Sequence, residues 1–476
     1  MKTSPFRRPA LAVAMAFAPL AAIPALAADT EDLKALREEV AQMRRAYEGR
    51  IAALEQRLAQ AEGAAGRAEA TAARTETTAA GRPPAGESAM NPGISLIMSG
   101  MYSSLKTDPA ARPWGIAGFV PSMGEVAPPP RSFSLGESEL VVAANIDHHF
   151  RGVMTLALPP EEGAAPQVEE GYIQTLGLGN GITMKAGRFL SGLGYLNEQH
   201  AHAWDFSDAP LAYKAFFGNQ LRGDGVQLKW VAPTDTFLEF GAEAGRGGAF
   251  PTADRNKNGF QTGTLFAHAG GDVGDSHSWR AGLSYLRASP RDRLYEDPAN
   301  GTVNAFSGRS RTWVADVVWK WAPQGNASQR SLTLQGEYFR RREDGSLAYD
   351  TTAAAGNCLL ADCRGAFASR QSGWYGQAVW KFRPAWRVGV RHDRLSPGSL
   401  DNALAVSPAS GLTAADFPVL AAHRPRRETV MLDWSSSEFS RIRLQFARDR
   451  SRPGDPDNQL WLHYVVSLGS HGAHKF

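Results

Sequence analysis

The sequence predicts an all-β transmembrane barrel of about sixteen antiparallel strands, preceded by a short periplasmic α-helical coiled coil. Three observations carry that expectation. From Ile94 to Phe476 the chain runs in segments of about ten residues that alternate apolar and polar. The gaps between segments are alternately short and long, and aromatic residues gather beside the short ones. Beyond the N-terminal leader, no stretch is apolar enough to cross a membrane as a helix.

Taken in order, residues 1–27 read as a signal peptide. Lys2, Arg7 and Arg8 precede an apolar run over residues 10–20, and Ala25-Leu26-Ala27 forms a small-x-small cleavage site. An uncleaved anchor is the alternative, disfavoured by Pro19, Pro24 and the shortness of the run. Over residues 28–62, Leu33, Leu36, Val40, Met43 and Tyr47 recur at helical spacing, followed by Ile51, Leu54, Leu58 and Ala61. This is a heptad-like seam with a stutter at Tyr47. So short a seam is marginal alone, which predicts a homotrimeric coiled coil, with a single amphipathic helix as the alternative. Residues 63–93, rich in Ala, Gly, Thr and Pro with no apolar period, read as a linker.

The barrel is expected over residues 94–476. Strands are predicted to begin near Ile94, Phe133, Phe150, Val168, Ile182, Gly225, Thr236, Gly263, Ser278, Thr312, Ser331, Trp374, Trp386, Glu428, Arg441 and Leu460. Short gaps such as Asp147-His148-His149 and Arg383-Pro384-Ala385 alternate with long ones such as residues 191–224, 288–311 and 342–373. Strict alternation puts all turns on one side of the membrane, and an even strand count returns both termini there, to the periplasm. Phe150, Trp230 with Phe237, Trp319 with Trp321, Phe382 with Trp386, and Trp434 with Phe439 flank the short gaps, as expected at a lipid headgroup boundary. A soluble β-sandwich or propeller has no reason to place aromatics at one set of turns. Sixteen strands allow about 24 residues per strand and connection, whereas twenty-two would leave nothing for a plug domain.

Charge argues against nucleic acid as a partner: 51 Lys and Arg stand against 48 Asp and Glu, with no basic stripe. Cys358 and Cys363 form an isolated close pair, which in an exported chain predicts a disulfide; two thiolates alone leave a metal site half empty. Where alternation is clear, the apolar set must face lipid and the intervening set the lumen. Outward Trp386, Val388 and Val390 send Arg387 and Arg391 inward; outward Ile442, Leu444 and Phe446 send Arg441 and Arg443 inward, and Lys381 joins them between Trp380 and Phe382. On the early strands Glu139, Glu239 and Glu243 are the inward residues. This acidic-versus-basic split predicts either a transverse field that favours polar or charged solutes, or simple solvation of the lumen wall.

The third long gap contains Tyr195, Leu196, Trp204 and Phe206 together with Glu198, His200, His202, Asp205 and Asp208. Apolar and aromatic residues in a nominally solvated loop predict that it packs inside the lumen, as a structural element or a constriction. Imidazole and carboxylate also suit zinc, so metal contact at His200 and His202 is a third reading. The gap resembles, by position and character, the inward-folded third loop of trimeric porins. The terminal Phe476 resembles the recognition signal of outer-membrane barrels; His471 and His474 read as polar residues at the periplasmic rim, with a metal pair as the alternative.

Signal peptide, coiled coil and sixteen-strand barrel together resemble the phosphate-selective porin group. Residues 197–216 and 467–476 also resemble proteobacterial outer-membrane proteins labelled zinc-regulated or TonB-dependent receptors. The first resemblance implies a porin of the outer membrane of a Gram-negative bacterium; the second implies uptake of a scarce nutrient, with zinc a candidate. The sequence departs from both patterns, since it has no room for a plug and mixes carboxylates with its inward arginines. The expectation is a trimeric, passive channel for small polar or ionic solutes, with a substrate-specific receptor as the alternative. No enzyme is expected, because no catalytic constellation stands out and Gly-x-Ser-x-Gly is absent.

Overall fold

A computed structural model of the protein describes residues 92–109, 115–119, 126–159, 163–253 and 256–469. The signal peptide, the coiled coil, nearly all of the linker, and His471, His474 and Phe476 lie outside the described residues. The chain divides into two units, Met1–Thr78 and Ala79–Phe476, and every described residue belongs to the second.

The described strands are β1 (Gly93–Leu105), β2 (Ser132–Leu135), β3 (Ser138–Asn145), β4 (Phe150–Leu158), β5 (Gln167–Thr175), β6 (Ile182–Leu190), β7 (Arg222–Val231), β8 (Phe237–Gly245) and β9 (Thr262–Val273). They continue with β10 (His277–Ala288), β11 (Arg293–Glu296), β12 (Val303–Trp321), β13 (Ser331–Ala348), β14 (Arg364–Arg383), β15 (Trp386–Asn402), β16 (Arg426–Ser437), β17 (Ser440–Arg450) and β18 (Asp457–Gly469). All eighteen belong to one antiparallel sheet. β2 and β11 are four-residue additions that pair with β1 and β12. The other sixteen close a barrel, sealed where β1 pairs with β18 from Ser95↔Gly469 to Leu105↔Gln459 and with β3 from Gly93↔Ala143 to Ile97↔Glu139. Closure removes every free edge, the condition for a sheet to cross a bilayer.

Side chains alternate as the pleat requires. On β18 Leu460, Leu462, Tyr464 and Leu468 are exposed on the outer face, while Gln459, Trp461, His463 and Ser467 are buried on the inner one. The outer aromatics at the turn end include Phe150, Trp230, Phe237, Trp380, Trp386 and Trp434. A second outer set, Tyr102, Trp313, Tyr338 and Trp374, lies nearer the loop end, so the barrel carries two aromatic girdles where the sequence reading saw one.

Strand lengths are uneven. β3 to β8 run 8 to 10 residues, whereas β12 to β15 run 17 to 20. The sequence reading starts two of these long strands late, at Thr312 and Trp374, because it takes residues 303–311 and 364–373 as loop. Beyond the lipid the outer face no longer needs to be apolar: on β13, Leu334 and Tyr338 give way to exposed Arg340 and Arg342. The alternation that marks a strand therefore fades while the hydrogen-bonded ladder continues. Connections above these strands pack Tyr295, Phe306, Leu347, Phe367, Leu404 and Phe417 into a buried apolar cluster. Cys358 and Cys363, joined as a disulfide, lie against it.

Candidate functional site

The connection between β6 and β7, residues 191–221 and the third of the long loops (loop 3), is folded into the lumen. Asn197, fully buried, clamps its neck: its side-chain amide donates to Ser191 O and Leu221 O at 2.8 Å each, and its Oδ1 accepts from Leu221 N at 2.7 Å. Ser191 N also donates to Leu221 O at 2.9 Å, so the loop leaves and re-enters the wall at one point. Glu243, on β8, receives Ser191 Oγ at 2.5 Å and Gly192 N at 2.8 Å and fixes the first turn.

Helix α1 (Leu211–Phe217) is buried along its whole length. Its first residue donates Leu211 N to Asp393 Oδ1 of β15 at 2.9 Å, so a wall carboxylate supplies the cap that Pro210 lacks. It ends at Gly218, whose φ of 73° suits glycine. Tyr213, Phe216 and Phe217 pack on inward Phe339, with Leu286, Val314, Tyr375 and Leu395 of the wall and Ile116, Phe119 and Val126 of the β1–β2 connection. The loop-end half of the lumen thus holds an apolar core beside its buried charges, although alternation marks inward wall positions as polar. Burying this helix requires apolar wall residues opposite it.

Polar contacts fasten the loop around that core. Glu337 on β13 accepts Leu196 N at 3.0 Å, Tyr195 N at 3.3 Å, Tyr213 OH at 2.9 Å and Tyr375 OH at 2.6 Å. Buried Arg341 donates to Ala215 O and to Gln371 and covers the Phe216 ring at 4.9 Å. Glu337, Arg341 and Asn197 were not singled out in the sequence reading. Within a run of charges such as 337–344, alternation gives direction but not partner.

The site residues expected from sequence fall into two groups that meet loop 3, one basic and one acidic. On the basic side, Asp208 pairs with Arg427 and with Arg391 at 3.1 Å, and accepts Gln445 Nε2 at 3.0 Å; Asp205 pairs with Arg387 at 2.8 Å. Arg441 and Arg443 donate to His202 O at 2.7 Å and Trp204 O at 3.0 Å. On the acidic side, His202 Nδ1 lies 3.0 Å from Glu139, and His200 lies within 3.3 Å of Glu139, Glu169 and Glu170. Glu198 pairs with Lys229 at 2.8 Å, and Glu239 with His268 at 3.0 Å. Lys381 stands apart at the turn end, donating to Ala327 O. Glu139, Arg391 and Arg443, expected to line open water, point inward but are 1 to 3% exposed, covered by loop 3.

Loop 3 therefore carries the complement of the wall's charge split, histidines toward carboxylates and aspartates toward arginines. Burial alone would raise Asp208, yet Arg427, Arg391 and Lys214 hold its carboxyl well below the usual range. Burial pulls the Lys214 ammonium down to about 8 despite Asp208. His200 is raised well above the ordinary histidine value: burial opposes the charge, but the carboxylates of Glu139, Glu169 and Glu170 around the ring outweigh it.

Glu169 and Glu170 are adjacent yet both buried on the lumen side. Thr155 pairs with Glu170 and Leu156 with Val168, so Glu169 is the extra residue of a β-bulge. A bulge re-aims one side chain, and here it sets two consecutive carboxylates around one imidazole.

Compared with known proteins, the sequence matches no family model. It is 31% identical over 365 residues to an uncharacterized protein of Aquifex aeolicus (strain VF5), covering 73% of this chain and 70% of that one. The chain belongs to that protein's family. Among solved structures it is similar to the outer membrane channel DcaP of Acinetobacter baumannii, with TM-score 0.48 and 10% identity over 79% of this chain and 97% of that one. It is also similar to an anion-selective porin from Comamonas acidovorans (TM-score 0.46, 11% identity, 79% and 99% covered) and to OmpT of Vibrio cholerae in its trimer form (0.47, 9%, 79% and 99%).

Proposed function

We propose that the protein is a porin-like channel of the Gram-negative outer membrane that passes small polar or charged solutes through a constriction made by loop 3. One observation carries this reading: the third long connection lies inside a closed barrel and presents partly exposed polar groups there. Glu198, His202, Lys229 and Glu239 have side chains 12 to 15% exposed, and Asp205, His200 and Arg387 21 to 25%. These seven, drawn from both charged sides, are the groups a solute meets, whereas the fully covered arginines act by holding the loop. The apolar core at the loop end favours a narrow path over a wide diffusion pore. The heptad-like seam from Leu33 to Ala61 supports a trimer.

Single-channel recording in planar bilayers tests the reading. Discrete conductance steps are expected, severalfold larger after deletion of residues 198–208, and the reversal potential in a salt gradient, with and without zinc, reports selectivity. A barrel silent both as wild type and after the deletion would refute it. Migration as a trimer on unheated gels checks the assembly.

A further inference from the structure

We propose that Glu139, Glu169 and His200 form a binding site for a first-row divalent metal ion of the zinc type, with Glu170 and His202 orienting the ligands. One donor atom from each of the three lies within 4.8 Å of the others. They come from three separate elements: Glu139 from β3, Glu169 from the β5 bulge and His200 from loop 3. Two carboxylates and an imidazole are a donor set that such ions favour over magnesium or calcium, which prefer oxygen alone.

Two details point to a ligand beyond the cluster itself. Glu139 is 1% exposed, and its salt-bridge partners among the described residues are His200 and His202, with no lysine or arginine. Its Oε2 accepts no hydrogen bond, although it faces His200 Nδ1 at 3.2 Å. A buried carboxylate oxygen left in this state is costly unless a cation completes it. The second detail is the far side of the ring. His200 Nε2 lies 2.9 Å from Glu170 Oε2, and a proton held there directs Nδ1 toward Glu139 and Glu169, where a metal ion would take its lone pair in exchange for the second ring proton. This carboxylate–histidine arrangement is how proteins fix a metal-ligating tautomer. His202 Nδ1, 3.0 Å from Glu139 Oε1, holds the carboxylate in the same way. A metal here would tie loop 3 to β3 and β5.

The test uses the full chain, refolded, stripped with EDTA, equilibrated with zinc chloride and dialysed before metal analysis. Wild type is expected to retain one equivalent. Glu139→Gln and His200→Ala, checked for folding by heat-modifiable migration, lose it, and Glu170→Gln weakens binding about 10- to 100-fold. A variant with His148, His149, His471 and His474 all changed to Ala still retains it. In wild type, zinc also slows trypsin cleavage at Lys214, an expectation that needs no variant. The proposal is overturned if wild type retains no zinc, if Glu139→Gln and His200→Ala retain it fully, or if the four-histidine variant loses it. Metal retention is read without any current, so its failure leaves the channel reading standing.

Discussion

Replacing Glu337 with alanine removes the acceptor for four donors that hold loop 3: Leu196 N, Tyr195 N, Tyr213 OH and Tyr375 OH. All four residues are buried, and each donor stranded without water costs about 1–3 kcal/mol. Water entering the vacated space relieves part of this, so the lower end of the range applies, about 4 kcal/mol in total. At 1.4 kcal/mol per tenfold, loop opening becomes roughly a thousandfold more frequent. Trypsin cleavage at buried Lys214 requires that opening and tracks its population when reclosing is fast. Glu337→Ala should therefore be cut about a thousandfold faster than wild type. Glu337→Gln keeps one acceptor oxygen and should fall between, roughly 10- to 100-fold faster. A folded Glu337→Ala barrel cut at the wild-type rate would show that this carboxyl does not anchor the loop.

Three further outcomes follow from the same contacts. A Cβ at Gly194 would collide with Glu337 Oε2 and lie 2.9 Å from Tyr213 OH at a φ of +71°, so Gly194→Ala should mimic Glu337→Ala in the same proteolysis assay. Asp208 has a depressed pKa; its contribution is present above the unfolded value near 3.8 and is lost as pH falls through the lower folded value. Conductance set by this tether among Arg391, Arg427 and Lys214 should be flat from about pH 7 to 5 and rise only in stronger acid, whereas Asp208→Asn shows the rise at neutral pH. Reducing Cys358–Cys363 opens a small ring whose closure stabilises by about 2 kcal/mol; proteolysis within residues 349–363 should quicken while the heat-modifiable barrel band stays unchanged.

Most of the wall was legible because lipid imposes a rule on every outward position. Where that rule lapses, reading fails: β12 and β14 begin at Val303 and Arg364, nine and ten residues before the first clear alternation. The lumen obeys no comparable rule. Inward Phe339 and Tyr375 face α1 rather than water, and only their aromatic rings among inward Glu337, Arg341 and Gln377 mark them, without naming the partner. Loop 3 was betrayed by its aromatics, but its partners were not, since Glu139, Glu169 and Arg427 are far from it in sequence. The Glu169-Glu170 pair was hidden for a geometric reason. Strict alternation sends neighbours to opposite faces, so a bulge cannot be seen in the pattern that it breaks.

The unequal strand lengths give the loop end a slanted brim. β14 exceeds β4 by eleven residues, 20 against 9, and at ~3.3 Å per residue on a tilted strand the tall side stands roughly 25 Å above the low one. A bulky agent approaching from that end meets the β12–β15 parapet first. Charge changes at exposed Arg340 and Arg342 should alter antibody or phage attachment and leave conductance untouched, and a parallel change in conductance would contradict this separation.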